Sequence, residues 1–496
     1  MNYRSTRGTA DQTLTAPAAI LQGLSPDGGL YVPVDFPQPD IDLNQLSQLS
    51  YQDLAAKILS WFFDNFSEDQ IRDAVAKAYG SQWDDPAIAP LSSLHDGSYY
   101  LELFHGPTLA FKDIALQVLP QLMVKSIKTE GIDKDIVILT ATSGDTGTAS
   151  MRGFSNQDGT QVIVFYPEGG VSPVQLTQML GQRGNNLQAL AIKGNFDDAQ
   201  TQVKHIFNDQ DFVAQLNKGG FQFSSANSMN IGRLVPQIVY YFYSYGRLLE
   251  DGRIQAGDKV NFTVPTGNFG DILAGYYAKK LGLPVNKLIC ASNENKVLTD
   301  FFDSGKYDRQ RPFHLTNAPA MDILVSSNLE RLLFDLYGED SAAIQNLMNQ
   351  LDDQGHYTVS PAVKAKLDAE FASGWADQDQ VKAQIKHIYD QDGYVIDPHT
   401  AVASFVAANY QKDSGDKTPN IIVSTASPYK FPETVFQSVT GKQADQQGLP
   451  AIKQLQAEIG GQLTAGVQAL FDQEPRKEQV IKPAEMETQI ADILGL

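Results

Sequence analysis

Cysteine is almost absent: the 496 residues hold one, Cys290. An internal disulfide and a cysteine-based metal site are therefore excluded. Cys290 stands in the strand-like run Lys287-Leu288-Ile289-Cys290-Ala291, where a thiol is most simply a small core residue. Long apolar runs are missing too, and none approaches the length of a membrane span. The polar stretch Met1 to Gln12 carries two arginines without the apolar core of a secretory signal. A cytoplasmic protein with no membrane partner is expected. Positive charge is scarce: 38 Lys and Arg face 58 Asp and Glu, a net charge of −20. Nucleic-acid binders carry a basic face, so no nucleic-acid partner is expected. An anionic substrate would need a local basic pocket against this background. Outside His105 and His399 the histidines show no paired spacing, and no metal is expected.

What is present is an ordinary globular composition, 42% hydrophobic and 19% charged, over a length that implies two or three domains. Up to about Asp96 the pattern is mainly helical. Asp53–Phe66 and Asp69–Tyr79 carry apolar residues at helical spacing, and Asp27-Gly28-Gly29 is a tight turn before a short strand, Leu30–Val34. From Tyr99 strands and helices alternate. Tyr99–Phe104, Asp135–Ala141, Gln161–Tyr166, Lys259–Val264, Lys287–Ser292 and Asn420–Thr425 read as strands. Ile114–Ile127, interrupted or bent near Pro120, and Ile231–Leu249 read as helices. Tyr240, Tyr241, Phe242, Tyr243 and Tyr245 on the latter suggest a domain or subunit contact. Such alternation predicts an α/β protein with parallel sheets and helices on both faces. The expected division is a mainly helical unit over 1–96, an α/β unit over 97–225 and a larger α/β unit over 226–496.

Four stretches carry chemistry. In Leu103-Phe104-His105-Gly106-Pro107-Thr108-Leu109-Ala110-Phe111-Lys112-Asp113, Lys112 falls in the first turn of a helix. The helix field and apolar neighbours there disfavour its charge. A lysine of lowered pKa is a nucleophilic amine of the Schiff-base type, although an arbitrary lysine at a helix start is more often simply solvated. Gly267-Asn268-Phe269-Gly270-Asp271 links a strand to a helix. Its glycines let backbone N–H groups converge on a dianion; the alternative is a plain turn with Asp271 as N-cap. Ser143-Gly144-Asp145-Thr146-Gly147 is a second strand-to-helix turn, and Asp145 can be no more than its cap. Asn227-Ser228-Met229-Asn230-Ile231-Gly232-Arg233 opens a helix and brings a hydroxyl and a guanidinium together, as phosphate binding requires. The alternative is a cap by Asn227 or Ser228 with Arg233 in solvent.

These motifs occur in one order with Tyr3-Arg4-Ser5-Thr6-Arg7-Gly8, Gly23-Leu24-Ser25-Pro26-Asp27-Gly28-Gly29-Leu30-Tyr31-Val32-Pro33 and Thr425-Ala426-Ser427-Pro428-Tyr429-Lys430-Phe431. So ordered, the chain resembles the threonine synthases, pyridoxal 5'-phosphate (PLP) enzymes of the tryptophan synthase β-like fold, from its first residues to beyond Phe431. The resemblance implies PLP as cofactor, linked covalently to Lys112, which then shuttles protons. It implies that Gly267, Asn268, Phe269, Gly270 and Asp271 hold the cofactor phosphate and that Thr425 faces the pyridine nitrogen. The Ser143, Asp145 and Thr146 loop would hold the substrate carboxylate and face the phenolic oxygen. Many members of the wider fold family have asparagine at the place of Asp145, and a carboxylate would repel a phenolate unless protonated or turned away. Ser228 and Arg233, helped by Thr146 and Asn268, would hold a substrate phosphate. The implied enzyme is a carbon–oxygen lyase acting on phosphates, converting O-phospho-L-homoserine and water to L-threonine and phosphate, as a monomer or homodimer. The rivals are another PLP lyase on this scaffold, a phospholyase or a serine/threonine dehydratase, and a non-catalytic metabolite-binding relative. A dehydratase needs no phosphate site such as Ser228 and Arg233, and Lys112 argues against a catalytically dead relative.

Overall fold

The computed structural model describes residues 1–8 and 12–496. Strand Val260–Pro265 is buried along its whole length, as an inner parallel strand covered by helices must be. It belongs to a six-stranded sheet in the order Phe371–Trp375, Val285–Ser292, Val260–Pro265, Asn420–Ser424, Tyr99–Glu102, Leu91–Ser93. Neighbours run parallel except at the Leu91–Ser93 edge. The two polar side chains of the inner strand find partners. Asn261 donates to Asp416 at 2.8 Å and the Thr263 hydroxyl donates to Asn420 at 3.0 Å. Left unpaired, each would cost about 1–3 kcal/mol. A second sheet, parallel throughout, has the order Val480–Ile481, Leu187–Ile192, Thr160–Pro167, Asp135–Ala141, Phe221–Ser224.

Sheet membership crosses the boundaries expected at residues 97 and 226. Tyr99–Glu102 pairs with Asn420–Ser424 in the larger sheet, and Val480–Ile481 joins the smaller one. The N-terminal unit has the two expected helices, as Tyr51–Phe62 and Glu68–Ala78, the second opened by a Ser67–Gln70 capping box. It also has a three-stranded antiparallel sheet, with Asn2–Ser5 between Thr13–Thr15 and Tyr31–Pro33. Tyr31–Pro33 is the strand expected over Leu30–Val34; the other two hold too few alternations to register as a period. Two prolines mark breaks in helices, the one near Pro120 expected and the one at Pro236 in a helix that periodicity reads as continuous. The first is split into Lys112–Leu116 and Leu119–Glu130, with Pro120 in the opening turn of the latter, where its missing N–H costs nothing. The second is split around Pro236 into Ile231–Leu234, a 3₁₀ turn Val235–Gln237, and Ile238–Glu250. The tyrosine-rich helix Ile238–Glu250 packs on the N-terminal unit. Tyr243 meets Tyr51 edge-on at 5.2 Å, and Phe242 meets Trp61 at 6.4 Å. Among the described residues no helix is long and apolar enough to cross a membrane.

The helix that follows the Ser143–Gly147 turn, Asp145–Phe154, lies against the helix that Lys112 opens. Their approach depends on Gly153, where a Cβ would stand 1.8 Å from the Leu116 carbonyl oxygen. Gly153→Ala gains about 1 kcal/mol of helix propensity. Overpacking against backbone, which has no rotamer to move, costs about 1–3 kcal/mol or more. The variant should therefore melt below the unmutated protein in a thermal scan. A higher melting temperature would mean that the two helices do not touch here.

Candidate active site

Lys112 is the first residue of its helix, and the turn before it is held by Asp113. Asp113 accepts from the Thr108 N–H at 2.7 Å and from the Thr108 hydroxyl at 2.8 Å. Gly106 packs so closely that a Cβ would lie 2.6 Å from the Asp113 carboxylate. The turn is then stitched to the end of strand Asn420–Ser424. Phe111 N–H donates to the Thr425 carbonyl at 2.8 Å, and Ser427 N–H to the Leu109 carbonyl at 3.0 Å. Lys112 and Thr425, far apart in sequence, thus become neighbours. Burial lowers the Lys112 pKa, Asp145 opposes that, and Arg233 and Lys430 reinforce it; the result is about 8. The lysine is mostly enclosed, with a side chain 13% exposed.

Asp145 is 5% exposed and stands between two lysines. Lys430 Nζ lies 3.0 Å from Oδ1, and Lys112 Nζ lies 3.7 Å from Oδ2. Gln175 Nε2 also donates to Oδ1, at 2.8 Å. Burial alone would raise the Asp145 pKa, but the two lysines and the Gln175 bond hold it well below the usual carboxylate range. Asp145 is therefore ionised and compensated rather than protonated. It is not the cap of its helix either: Gly144, at φ +135°, occupies that position without a side-chain bond. Thr142 instead accepts from the amides of Gly144 and Gly147 at 2.9 and 3.0 Å. Ser143 is exposed at the turn and Thr146 half-buried behind it.

The other two stretches meet beside this charge cluster. Phe269 sits in the left-handed region, φ +64°, at the start of helix Gly270–Lys280, and no side chain caps that start. The Asp271 carboxylate turns the other way and accepts from the hydroxyls of Tyr240 and Tyr241 at 2.5 and 2.7 Å. Burial pushes its pKa up to about 6, with the two tyrosine bonds working against that. Its backbone amide alone remains at the loop. Asn230, rather than Asn227 or Ser228, caps the helix Ile231–Leu234, accepting from Gly232 N–H at 2.8 Å. Arg233 is not solvated: it is 3% exposed, donates through Nη1 to the Ala226 carbonyl at 2.9 Å, and leaves Nε without a partner. Burial lowers its pKa to about 10. Asn328 joins the two stretches, donating to the carbonyls of Ser228 and Asn268 at 3.2 and 3.1 Å.

Sequence reading gave no role to seven residues around the site. Lys430, fully buried, bonds the Thr108 carbonyl at 2.6 Å as well as Asp145. Its one signal is a cation set between Tyr429 and Phe431. Gln175 carries no signal at all, since its partner lies across a turn. Asp397 and His399 bond at 2.6 Å beneath Thr425, and Thr400 links Asp397 to Ser424 and to the Thr425 amide. Asn328 and Arg331 lie in a stretch that reads as plain helix. On helices flanking the smaller sheet, His205, Asp209 and Glu487 have ligand atoms within 4.8 Å of one another. Spacing along the chain could not reveal that group, because Glu487 comes from the last helix.

Three family models match in succession: Threonine synthase N terminus over residues 2–79, Pyridoxal-phosphate dependent enzyme over 88–350, and Threonine synthase, C-terminal over 400–489. Threonine synthase-like 1 of Homo sapiens is 40% identical over 440 residues, which is 86% of this chain and 58% of that protein. The chain thus spans little more than half the length of that relative. Threonine synthase of Saccharomyces cerevisiae is 37% identical, over 88% of this chain and 89% of the yeast protein. The crystal structure of PLP-bound threonine synthase from Brucella melitensis superposes with a TM-score of 0.87 at 37% identity, covering 100% of both chains. The chain belongs to the threonine synthase family of pyridoxal-phosphate dependent enzymes.

Proposed function

We propose that the protein is a threonine synthase in activity as well as descent, converting O-phospho-L-homoserine and water to L-threonine and phosphate. The observation that carries this reading is the pairing of buried Lys112 with one compensated carboxylate and, near enough to lower the Lys112 pKa, a buried Arg233 with a free Nε. A guanidinium buried with a single carbonyl partner calls for an anion. An oxygen of a substrate phosphate meets that need, whereas a dehydratase substrate does not.

The residues also fit the cofactor. PLP presents an aldehyde and a phosphate, and the chain supplies an amine of lowered pKa beside an uncapped helix start. No side chain bonds the amides at the start of helix Gly270–Lys280, and the nearest atoms to a Cβ at Gly270 would be the side-chain amide nitrogens of Asn328 and Gln237, at 3.6 and 3.9 Å, so the loop keeps donors free for a phosphate. When bound, PLP supplies an electrophilic carbon and a ring that disperses negative charge from the substrate carbons. Lys112 is the amine placed to meet the aldehyde. Once free, it removes and returns protons at the substrate Cα and Cβ. Gly267, Asn268, Phe269, Gly270 and the amide of Asp271 hold the cofactor phosphate. The Thr425 hydroxyl would bond the pyridine nitrogen without protonating it, a weaker electron sink that suits elimination. Ser143 and Thr146 hold the substrate carboxylate at the start of helix Asp145–Phe154. Ser228 and Arg233, with Thr146 and Asn268, orient the phosphate that leaves. Lys430 keeps the charge of Asp145 from opposing these anions.

The direct assay measures phosphate and L-threonine from O-phospho-L-homoserine in the presence of PLP, in equal amounts if the reading is right. Phosphate release accompanied by a keto acid would point to a phospholyase, and no release at all would end the assignment.

Two further outcomes follow from the charges. In cofactor-free protein the Lys112 amine should become reactive as pH rises through about 8, far below an ordinary lysine, because burial disfavours the ammonium. Asp145 is an opposite charge that raises the Lys112 pKa, so Asp145→Asn should move this transition to lower pH. Competitive labelling of Lys112 across pH 6–11 (roughly the range of perturbed and ordinary lysines) reads both. A transition that moves upward instead would mean that Asp145 does not act on Lys112. For Arg233→Ala, loss of charge-assisted bonds of about 1.5–3 kcal/mol each should lower kcat/KM for O-phosphohomoserine by roughly two orders of magnitude. Arg233→Lys should restore little, for want of the planar fork. Cofactor absorbance should survive in both, and its loss would place Arg233 on the cofactor instead.

A further inference from the structure

Asn328 has no exposed surface and lies between the two segments assigned above to phosphate binding. Its backbone N–H donates to the Asn268 carbonyl at 3.1 Å. Its side-chain amide donates to that same carbonyl at 3.1 Å and to the Ser228 carbonyl at 3.2 Å. The amide has only one possible orientation. Arg331 donates through Nη1 to Asn328 Oδ1, and a guanidinium can accept nothing. The oxygen must face Arg331, so the NH2 group must face the two carbonyls.

Arg331 is in turn fixed on its remaining sides. It is 1% exposed, donates through Nη2 to the Met229 carbonyl at 2.6 Å and through Nε to the Tyr31 carbonyl at 2.9 Å. Burial lowers its pKa to about 10, with Tyr277, Glu330 and Tyr3 opposing that. Only a planar fork reaches acceptors in three directions at once. The preceding residue, Glu330, accepts from Arg7 at 2.9 and 2.6 Å and from the Thr6 hydroxyl at 2.5 Å. The opening Arg4-Ser5-Thr6-Arg7 motif and Tyr31, to which the catalytic reading gives no task, are therefore fastened to the same turn.

We propose that Asn328, oriented by Arg331, is a positioning residue that fixes the separation between the cofactor-phosphate loop Gly267–Asp271 and the substrate-phosphate segment Asn227–Arg233. It selects substrates whose phosphate lies one set reach from the amino-acid group. This rests on the functional reading above. Neither residue is assigned to a phosphate; both act through the carbonyls of Ser228, Met229 and Asn268.

The test uses the holoenzyme. In Asn328→Ala, KM for O-phosphohomoserine should rise about tenfold, the size expected for one lost buried hydrogen-bonded link, with kcat changed far less. Inhibition by inorganic phosphate should weaken by a similar factor. Retention of PLP on dialysis should fall too, because Asn268 loses a bond. Arg331→Lys should show the same split, and the double variant should be about as impaired as the worse single one, since one residue acts through the other. Unchanged KM and phosphate inhibition in folded Asn328→Ala, or strictly additive effects, would overturn the proposal. Should Asn328→Ala not fold, Asn328→Asp keeps the Arg331 bond while setting an acceptor against the Ser228 carbonyl, and it carries the same expectations. If the unmutated protein releases no phosphate, the functional reading falls by itself. PLP retention in Asn328→Ala then still decides whether Asn328 sets the loop.

Discussion

An excess of buried positive charge governs this molecule. Lys112 and Lys430 converge on Asp145, Arg233 stands near enough to act on Lys112, and among the described residues Asp145 is the one carboxylate ion-paired with either lysine. Isolated buried charges cost several kcal/mol each, and one carboxylate cannot offset three cations. The remainder is a standing demand for anions, set in a chain whose net charge is −20. The phosphate of PLP and that of the substrate proposed above would meet that demand together. The acidic surface then has a consequence as well. It leaves this pocket as a local attraction for small anions, while nucleic acid meets overall repulsion.

Bringing those cations together requires the two sheets to share residues. The Lys112 turn is anchored to the larger sheet through Thr425 and Leu109, while Asp145 arrives on the first helix of the smaller one. Lys430 spans the gap, with Asp145 on one side and the Thr108 carbonyl on the other. Gly106 and Gly153 allow the close approaches on either side of the Lys112 helix. These sites give the glycines a task in placing charge. A shift of a few tenths of an ångström would alter the Lys112–Asp145 separation, and with it the balance that sets the lysine near 8.

The sequence made the fold class and the motif residues legible because both depend on local pattern. Buried strands are continuous apolar runs, and the loops that join them to helices carry glycine at fixed places. Strand Asp135–Ala141 and the Lys112 helix start are where the pattern puts them. Of the short antiparallel strands of the N-terminal unit, the one at Tyr31–Pro33 was legible from the turn before it, whereas Asn2–Ser5 and Thr13–Thr15 were not, since three or four residues hold too little periodicity. The interruption near Pro120 was legible from the proline itself, whereas the helix broken at Pro236 read as a single one because apolar spacing continues across it. In the site, legibility stopped at partners. Asp145 was visible, but Lys430 and Gln175, which decide its protonation, are distant in sequence. Asp271 looked like a cap because acidic residues commonly are, and only its tyrosine partners reveal otherwise.

Asp145 shows why residue type alone is a poor guide to charge. An asparagine at this place would face a phenolic oxygen as a neutral donor, and a bare carboxylate there would repel it. The pair Asp145–Lys430, at 3.0 Å, has the net charge of an asparagine with the stiffness of a buried ion pair, because Gln175 and the Thr108 carbonyl restrain both ends. It also does what an asparagine cannot: Asp145 reaches toward Lys112 and moderates the fall in its pKa. An amine left only to burial, Arg233 and Lys430 would fall further and become a weaker base, returning protons readily but removing them poorly. The carboxylate therefore suits a lysine that must do both, provided the second lysine stands behind it.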